Sequence, residues 1–215
     1  MVQPIAQVTE SRRGRSLERL RQAARTLFVS EGYDRTRPQD IARAAGVANG
    51  TFYLHFADKK AAFIDFARKA QDQFLEACEA QLASTSPGER LSDFFDVVEI
   101  FSKKHPGVLQ VAFVDPVTID PDDDGAWELS DRMGGYVEQR LAPLLPGIAD
   151  LGLVSHGICG LIRHAMTYAN RRGVSREALL ADLNVFLEGG LRAIAASRAG
   201  TETTLCRSTK EQDSL

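Results

Sequence analysis

A run of polar side chains near the end of the first quarter of the chain can form directional hydrogen bonds with a nucleic acid. The amide of Asn49 can pair bidentately with the edge of an adenine. Thr51, Tyr53 and His55 follow at alternate positions and supply a hydroxyl, a phenol and an imidazole, which are donors for phosphate oxygens. Lys59 adds a positive charge near the N-terminus of a predicted helix, where the helix dipole also attracts anions. This chemistry suits a duplex nucleic acid as the partner.

The basic residues are concentrated in the same part of the chain. Residues 1–60 contain eleven lysines and arginines against six acidic residues, a net charge of +5, whereas the remainder holds 15 basic and 23 acidic residues, a net charge of −8. A basic front on an acidic body indicates a polyanionic partner for the front alone, although a chance fluctuation would give the same asymmetry. Arg12, Arg13 and Arg15 either reach a neighbouring minor groove as a basic arm or belong to a solvated tail.

Motifs that carry catalysis or bind nucleotides are absent from the sequence. It contains no G-x-S-x-G turn, no Walker loop, no H-E-x-x-H motif and no G-x-G-x-x-G loop. The three cysteines, Cys78, Cys159 and Cys206, are far apart, which fits a reducing cytoplasm better than a disulfide framework. The sequence contains no run of about 18 apolar residues, so we predict no membrane span. We therefore expect a cytoplasmic protein that is not an enzyme and that has no cofactor.

An acidic segment in the middle of the chain has the spacing of a calcium-binding loop. Its carboxylates stand at positions one, three, five, nine and twelve of such a loop, on Asp120, Asp122, Asp124, Glu128 and Asp131. The last position carries an aspartate where the longer glutamate is expected. An acidic cap on the following helix explains the same residues, so we predict no metal site, while calcium binding stays an open alternative.

Hydrophobic periodicity predicts an all-α protein of about nine helices, three short ones followed by longer ones. The first helix is expected to run from an N-cap at Ser16 to Gly32, and the second from Pro38 to Gly46. A short third helix turns Phe52 inward and its polar groups outward. Two short helices joined by a glycine turn are typical of a helix-turn-helix, whose third helix lies in the major groove of DNA.

The stretch TRPQDIARAAGVANGTFYLHFADKK, residues 36–60, resembles the signature of the TetR family of bacterial transcriptional regulators. Its core reads Gly-Val-x-x-Gly-Thr-aromatic-Tyr-x-His-Phe-x-x-Lys, and the preceding ARTLFVSEGY, residues 24–33, resembles the family's first helix. The resemblance covers about residues 14–74. It implies an N-terminal helix-turn-helix domain, followed by a C-terminal helical domain that binds a small-molecule effector and a second copy of the chain.

The resemblance and the side-chain chemistry together assign DNA contacts. Thr51, Tyr53 and His55 match backbone-contact positions of the family, although Tyr53 and His55 could instead pack against neighbouring helices. Leu54 can touch a thymine methyl group. The sequence departs from many relatives at Arg37, where they carry a serine or threonine cap, and Thr36 is the alternative cap. The predicted DNA-binding residues are Arg37, Ala48, Asn49, Gly50, Thr51, Tyr53, Leu54, His55 and Lys59.

An effector pocket and a dimer interface are also implied by the resemblance. Polar and aromatic residues of the C-terminal helices are the candidate pocket lining: His105, Phe113, Trp127, Tyr136, Cys159, Arg163, His164 and Tyr168. Arg163 would bind an anionic effector, or else pair with an acid. The last helix has a broad apolar surface, and Gly157 and Gly160 in the helix before it allow close approach; both helices could also be buried within the monomer.

The sequence thus predicts a ligand-responsive regulator, most often a repressor in this family, that binds a palindromic operator as a homodimer. A DNA-binding factor without a small-molecule effector is the alternative. The expected organisation comprises a flexible basic arm, a TetR-type DNA-binding domain with its helix-turn-helix at about 37–56, an effector-binding and dimerisation domain, and a disordered tail. These parts span residues 1–13, 14–74, 75–198 and 199–215.

Overall fold

The structure, a computed structural model, describes residues 5–82, 91–114 and 124–212, and every regular element within those ranges is helical. The prediction of an all-α protein is therefore confirmed. No helix in these ranges is long and apolar enough to cross a membrane. A π-helical turn at Gln110–Val114 accompanies eight α-helices, which are α1 (Ile5–Arg35), α2 (Pro38–Ala44), α3 (Asn49–Tyr53), α4 (Lys59–Leu82), α5 (Leu91–Lys104), α6 (Asp124–Leu141), α7 (Leu151–Arg172) and α8 (Arg176–Gln212).

The chain divides into two units. The first comprises Met1–Glu76 with Phe101–Leu129, and the second comprises Ala77–Ile100 with Ser130–Leu215. The first unit thus contains the three predicted N-terminal helices together with a segment from the middle of the chain. This division differs from the single boundary near residue 75 that we expected from the sequence.

The core of the first unit is built by apolar residues at helical spacing. Leu20, Phe28, Ile41 and Phe52 have no exposed surface. Fully burying such a side chain contributes roughly 1.5–3 kcal/mol each. Because these residues come from α1, α2 and α3, their packing fixes how these three helices are arranged.

The first helix starts earlier than we predicted. The structure places α1 from Ile5, so the expected boundary at residue 13 and the N-cap role of Ser16 are wrong. Ser16 lies inside the helix, and its hydroxyl donates to the carbonyl of Arg13 at 2.9 Å. Apolar periodicity indicates where a face is buried, whereas a helix can continue beyond that face on backbone hydrogen bonds alone. Gly32, with φ +78°, interrupts the helix near its end as predicted.

The turns around α2 show how the sequence sets their geometry. Pro38 occupies the first turn of α2, where its missing N–H costs nothing. Arg37 stands at the N-cap position in extended conformation without a side-chain hydrogen bond. Thr36 does not cap the helix either, because its buried hydroxyl donates to the Gly32 carbonyl at 2.7 Å. Gly46 turns the chain towards α3 with φ +64°, which favours glycine.

The second unit contains two long helices that pack against each other, α7 and α8. Asp150 caps α7 by accepting from the Leu153 amide at 2.8 Å, and Gly173 ends it in the left-handed conformation. On α8, Leu180, Leu183 and Leu187 are buried at helical spacing. The helix continues to Gln212, into the segment from residue 199 that we expected to be a disordered tail.

Candidate nucleic-acid interface

The outer side of α3 carries most of the residues predicted to meet DNA. Asn49 and Gly50 are exposed, as are Tyr53 and Leu54, with 52% and 69% of their surface accessible. The space beyond the Cα of Gly50 is open, so nothing on that side blocks close approach. Phe52 points the opposite way into the core with no exposed surface. The helix is therefore anchored by one face and presents the other.

The phenol of Tyr53 is available for an external partner. Its ring makes an edge contact with Phe52, with centroids 5.3 Å apart, but about half of the side chain stays exposed. Thr51 is half-buried on the same short helix, and Ala48 is exposed immediately before it. This arrangement favours the backbone-contact interpretation of Tyr53 over the packing alternative.

His55 is held by α1. Its Nε2 lies 2.8 Å from the hydroxyl oxygen of Ser16, and an Nη2 hydrogen of Arg13 points to the neighbouring Leu54 carbonyl at 3.4 Å. Partial burial lowers the pKa of His55, and the positive charges of Arg13 and Arg21 lower it further. His55 is therefore a neutral imidazole at neutral pH, with one of its two nitrogens already engaged.

Lys59 is turned towards its own protein. Its Nζ donates to the Tyr33 carbonyl at 2.9 Å and lies 4.0 Å from the centroid of the Tyr33 ring. A cation over an aromatic face contributes about 0.5–2 kcal/mol, depending on desolvation. The structure thus differs from the expectation of a free lysine at the N-terminus of α4. Asp58 caps that helix by accepting from the Ala61 amide at 2.7 Å.

A bidentate ion pair joins α1 to α4 beside this surface. Arg21 donates through Nε and Nη2 to the two carboxylate oxygens of Asp65, at 2.9 and 2.8 Å. The hydrogen bond to Asp65 raises the pKa of Arg21 despite its partial burial. Both side chains are less than one third exposed, so the pair is less screened than a surface salt bridge. It fixes the start of α4 relative to the helix that also holds His55.

The predicted effector residues are distributed over both units. Three of them, His105, Phe113 and Trp127, belong to the first unit and five to the second. Four of them have exposed side chains, which are Trp127, Arg163, His164 and Tyr168, and the common lining stays a prediction. Residue type predicted aromatic or polar chemistry there, but it could not indicate which side of a helix faces solvent.

The other candidate effector residues are engaged within their own units. The Nδ1 of His105 accepts from Nη2 of Arg25 at 3.1 Å, and its ring lies 4.6 Å from that of Phe101. Phe113 packs edge-on against Phe74, with centroids 5.5 Å apart. These contacts give His105 and Phe113 roles in packing the first unit.

In the second unit, a tyrosine and a thiol are buried together. Burial raises the pKa of Cys78 to about 12, and the hydroxyl of Tyr136 lies against this thiol without a well-formed hydrogen bond. Burial also raises the pKa of Cys159 to about 11. Neither thiol is therefore ionised at neutral pH, and the Tyr136 hydroxyl is a polar group whose hydrogen-bonding capacity is unused.

The structure describes part of the acidic segment that has the spacing of a calcium-binding loop. Asp120 and Asp122 lie outside the described residues, and Asp124, Glu128 and Asp131 lie along α6. Glu128 accepts from Arg68 at 2.7 Å, and Asp131 pairs with His156 at 3.2 Å. Within the described ranges, no three His, Cys, Asp or Glu side chains are grouped as metal ligands would be.

Comparison with known proteins places these features in a group of regulators. Residues 20–65 match the family model described as bacterial regulatory proteins, tetR family. The chain is 32% identical over 84 residues, 39% of its length, to the HTH-type transcriptional regulator TcmR of Streptomyces glaucescens, of which the match covers 37%. The chain spans about a third of the length of the curated regulators it matches.

Two solved structures share the fold over most of the chain. The fatty acid degradation regulator FadR from Bacillus halodurans superposes with a TM-score of 0.66 at 21% identity, over 82% of this chain and 96% of that one. FadR of Thermus thermophilus, a transcriptional repressor in complex with lauroyl-CoA, gives a TM-score of 0.59 at 23% identity, over 83% and 92% of the two chains. At these identities the likeness concerns the fold.

Proposed function

Since the chain belongs to the TetR family of bacterial regulatory proteins through its residues 20–65, we propose that it is a transcriptional regulator that reads a two-fold symmetric operator as a homodimer. The observation that supports this most directly is α3, which is anchored by Phe52 and presents Asn49 and Gly50 on an exposed, unobstructed face. A single helix of five residues reads few base pairs, so specificity requires two copies.

Each exposed group on this surface has a role that its chemistry suggests. Asn49 pairs with a base edge, and Leu54 contacts a thymine methyl group. Tyr53 and Arg37, both exposed, contact backbone phosphates and set the register of α3 in the groove. Lys59 acts indirectly, since its amine holds Tyr33 and thereby the corner between α1 and α4.

The second unit offers a surface for the second copy. On α8, Val185 and Phe186 are 73% and 66% exposed, and on α7 Leu153 is 72% exposed. The Cα atoms of Gly157 and Gly160 face open space, so another helix could approach their backbone closely. Exposed apolar side chains next to unobstructed glycines are the composition of a helix-to-helix interface.

We further propose that an effector controls DNA binding and that the regulator is a repressor. A fold neighbour binds lauroyl-CoA. In the present chain the buried, unsatisfied hydroxyl of Tyr136 is the group that a polar atom of an effector would meet, because leaving it unpaired costs free energy. A factor without an effector stays the second candidate function, favoured by the exposed side chains of four predicted pocket residues, which are Trp127, Arg163, His164 and Tyr168.

The test measures binding to DNA from upstream of the protein's own gene by fluorescence anisotropy at two salt concentrations. A scrambled duplex serves as the control. We expect preference for the native duplex, with two protomers or a multiple of two per site. Adding a long-chain acyl-CoA, and separately the free fatty acid, should release the DNA if a lipid effector acts here. Equal and salt-sensitive binding to both duplexes contradicts sequence reading, and binding insensitive to all effectors supports the second candidate.

A further inference from the structure

His55, two residues beyond the end of α3, is fixed by a side chain that the sequence motif does not include. Ser16 on α1 lies 2.8 Å from His55 through its hydroxyl oxygen, although the two are 39 positions apart. We propose that Ser16 is a positioning residue for DNA binding, which holds the His55 ring so that Nδ1 is the nitrogen presented to a backbone phosphate. This inference rests on the proposed DNA-binding function and concerns regulation of that same surface.

The proton balance of the contact decides which nitrogen is protonated. The Ser16 hydroxyl has one hydrogen, which it donates to the Arg13 carbonyl at 2.9 Å. Its oxygen therefore accepts at His55, and Nε2 carries the ring hydrogen. In the neutral ring, Nδ1 is then an acceptor and repels a phosphate oxygen. Within the described part of the chain, Nδ1 has no hydrogen-bond partner.

A phosphate contact through Nδ1 consequently requires the protonated ring. Arg13 and Arg21 face the ring from α1 and oppose protonation in the free protein. Asp65 on α4 is occupied by Arg21, and Asp58 is occupied by the Ala61 amide. A DNA phosphate supplies the negative charge that the surroundings of the His55 ring lack. DNA binding therefore takes up a proton at His55. Affinity should then decrease as the pH rises through the pKa that His55 has in the complex.

Tautomer measurement on the free protein tests the geometry independently of DNA. Long-range proton–nitrogen correlation spectra distinguish the two neutral forms of a labelled histidine, and the His55→Gln variant assigns the signal among the four histidines. We expect the Nε2–H form in the wild type and a mixture of both forms in Ser16→Ala. Thr26→Ala is the matched control, since Thr26 makes the same type of bond to a carbonyl of α1, that of Gln22 at 3.0 Å. An Nδ1–H form in the wild type overturns the inference.

DNA titrations between about pH 6 and pH 8 test the function of the pair. Wild-type affinity should decrease by up to about tenfold per pH unit, the limit for one proton, and His55→Gln should lose this component. Ser16→Ala should weaken binding about two- to tenfold, equally on operator and scrambled DNA, because a phosphate contact carries no sequence information. Ser16→Thr, which keeps the hydroxyl, should restore both the affinity and its pH dependence.

The outcomes separate the two proposals. If the wild type binds DNA and Ser16→Ala matches it in affinity and pH profile, the role of Ser16 is overturned and the proposed function stays intact. A wild type that binds no DNA at any pH, with the expected tautomer, refutes the proposed function and the role of Ser16 with it.

Discussion

Replacing Asn49 by alanine should separate base reading from general affinity for DNA. Asn49 is exposed at the start of α3, and its amide makes no hydrogen bond within the described residues. Loss of one bidentate base contact costs about 1–3 kcal/mol, so a dimer that inserts two copies of α3 loses about 2–6 kcal/mol on its operator. Binding to a scrambled duplex should stay nearly unchanged, because the phosphate contacts are intact.

The assay is fluorescence anisotropy on operator and scrambled duplexes, together with thermal unfolding. The melting temperature of Asn49→Ala should equal that of the wild type, since position 48 and not Asn49 caps α3 and no internal bond is removed. Gln39→Ala is the matched control, an exposed amide on α2 whose loss should leave the operator affinity unchanged. An equal loss on both duplexes, or a lower melting temperature, refutes base reading by Asn49.

Four further predictions concern stability, DNA binding, assembly and pH. Lys59→Ala should lower the free energy of unfolding by about 1–2 kcal/mol, because its amine binds the carbonyl and ring at the end of α1. Arg37→Ala should instead lower the salt slope of DNA binding by about one unit. Urea unfolding and salt titrations of both variants measure these effects. If Lys59 contacted DNA, Lys59→Ala would lower the salt slope and leave the free energy of unfolding unchanged. Phe186→Asp should produce monomers in sedimentation equilibrium, whereas Ile100→Asp, an exposed apolar control on α5, should not. If Phe186→Asp assembles like the wild type, the interface lies elsewhere. Burial, Arg25 and Lys104 lower the pKa of His105. The folded state therefore binds fewer protons than the unfolded one, and the free energy of unfolding should fall as the pH falls below about 6.5. Denaturation of His105→Gln should show a weaker loss over that range, and an identical pH profile would contradict this.

Features governed by local chemistry could be predicted from the sequence. Pro38 begins α2, Gly46 makes the turn with positive φ, and Asp58 caps α4, because each depends on the backbone preferences of one residue. The inward position of Phe52 follows from helical periodicity in the same way. These elements alone place the outer face of α3, which is why the exposed candidate residues could be named in advance.

Features that depend on which side chains meet across helices could not be predicted. Neither a charge count nor a motif indicates that Lys59 folds back onto Tyr33, or that Ser16 contacts His55. The exposure of the effector candidates could not be predicted for a related reason, since Trp127 has the composition of a pocket aromatic and is 47% exposed. The sequence carries no signal for the contact of Ser16 with His55, because a serine inside a helix commonly bonds a carbonyl of its own helix, as Ser16 does with that of Arg13.

The composition of the first unit indicates how an effector signal would reach the DNA-binding helices. Residues 101–129 belong to the same unit as α1 and the start of α4, and polar contacts connect them. Arg25 on α1 bonds His105 at 3.1 Å, and on α4 the Gln71 amide donates to the Leu129 carbonyl at 2.9 Å. Gln71 is 3% exposed, so its bond cannot be exchanged for water without local opening. A ligand that displaced these two contacts would act directly on α1 and α4, and if that displacement changes the affinity for DNA, reciprocity requires DNA to change the affinity for the ligand by the same factor.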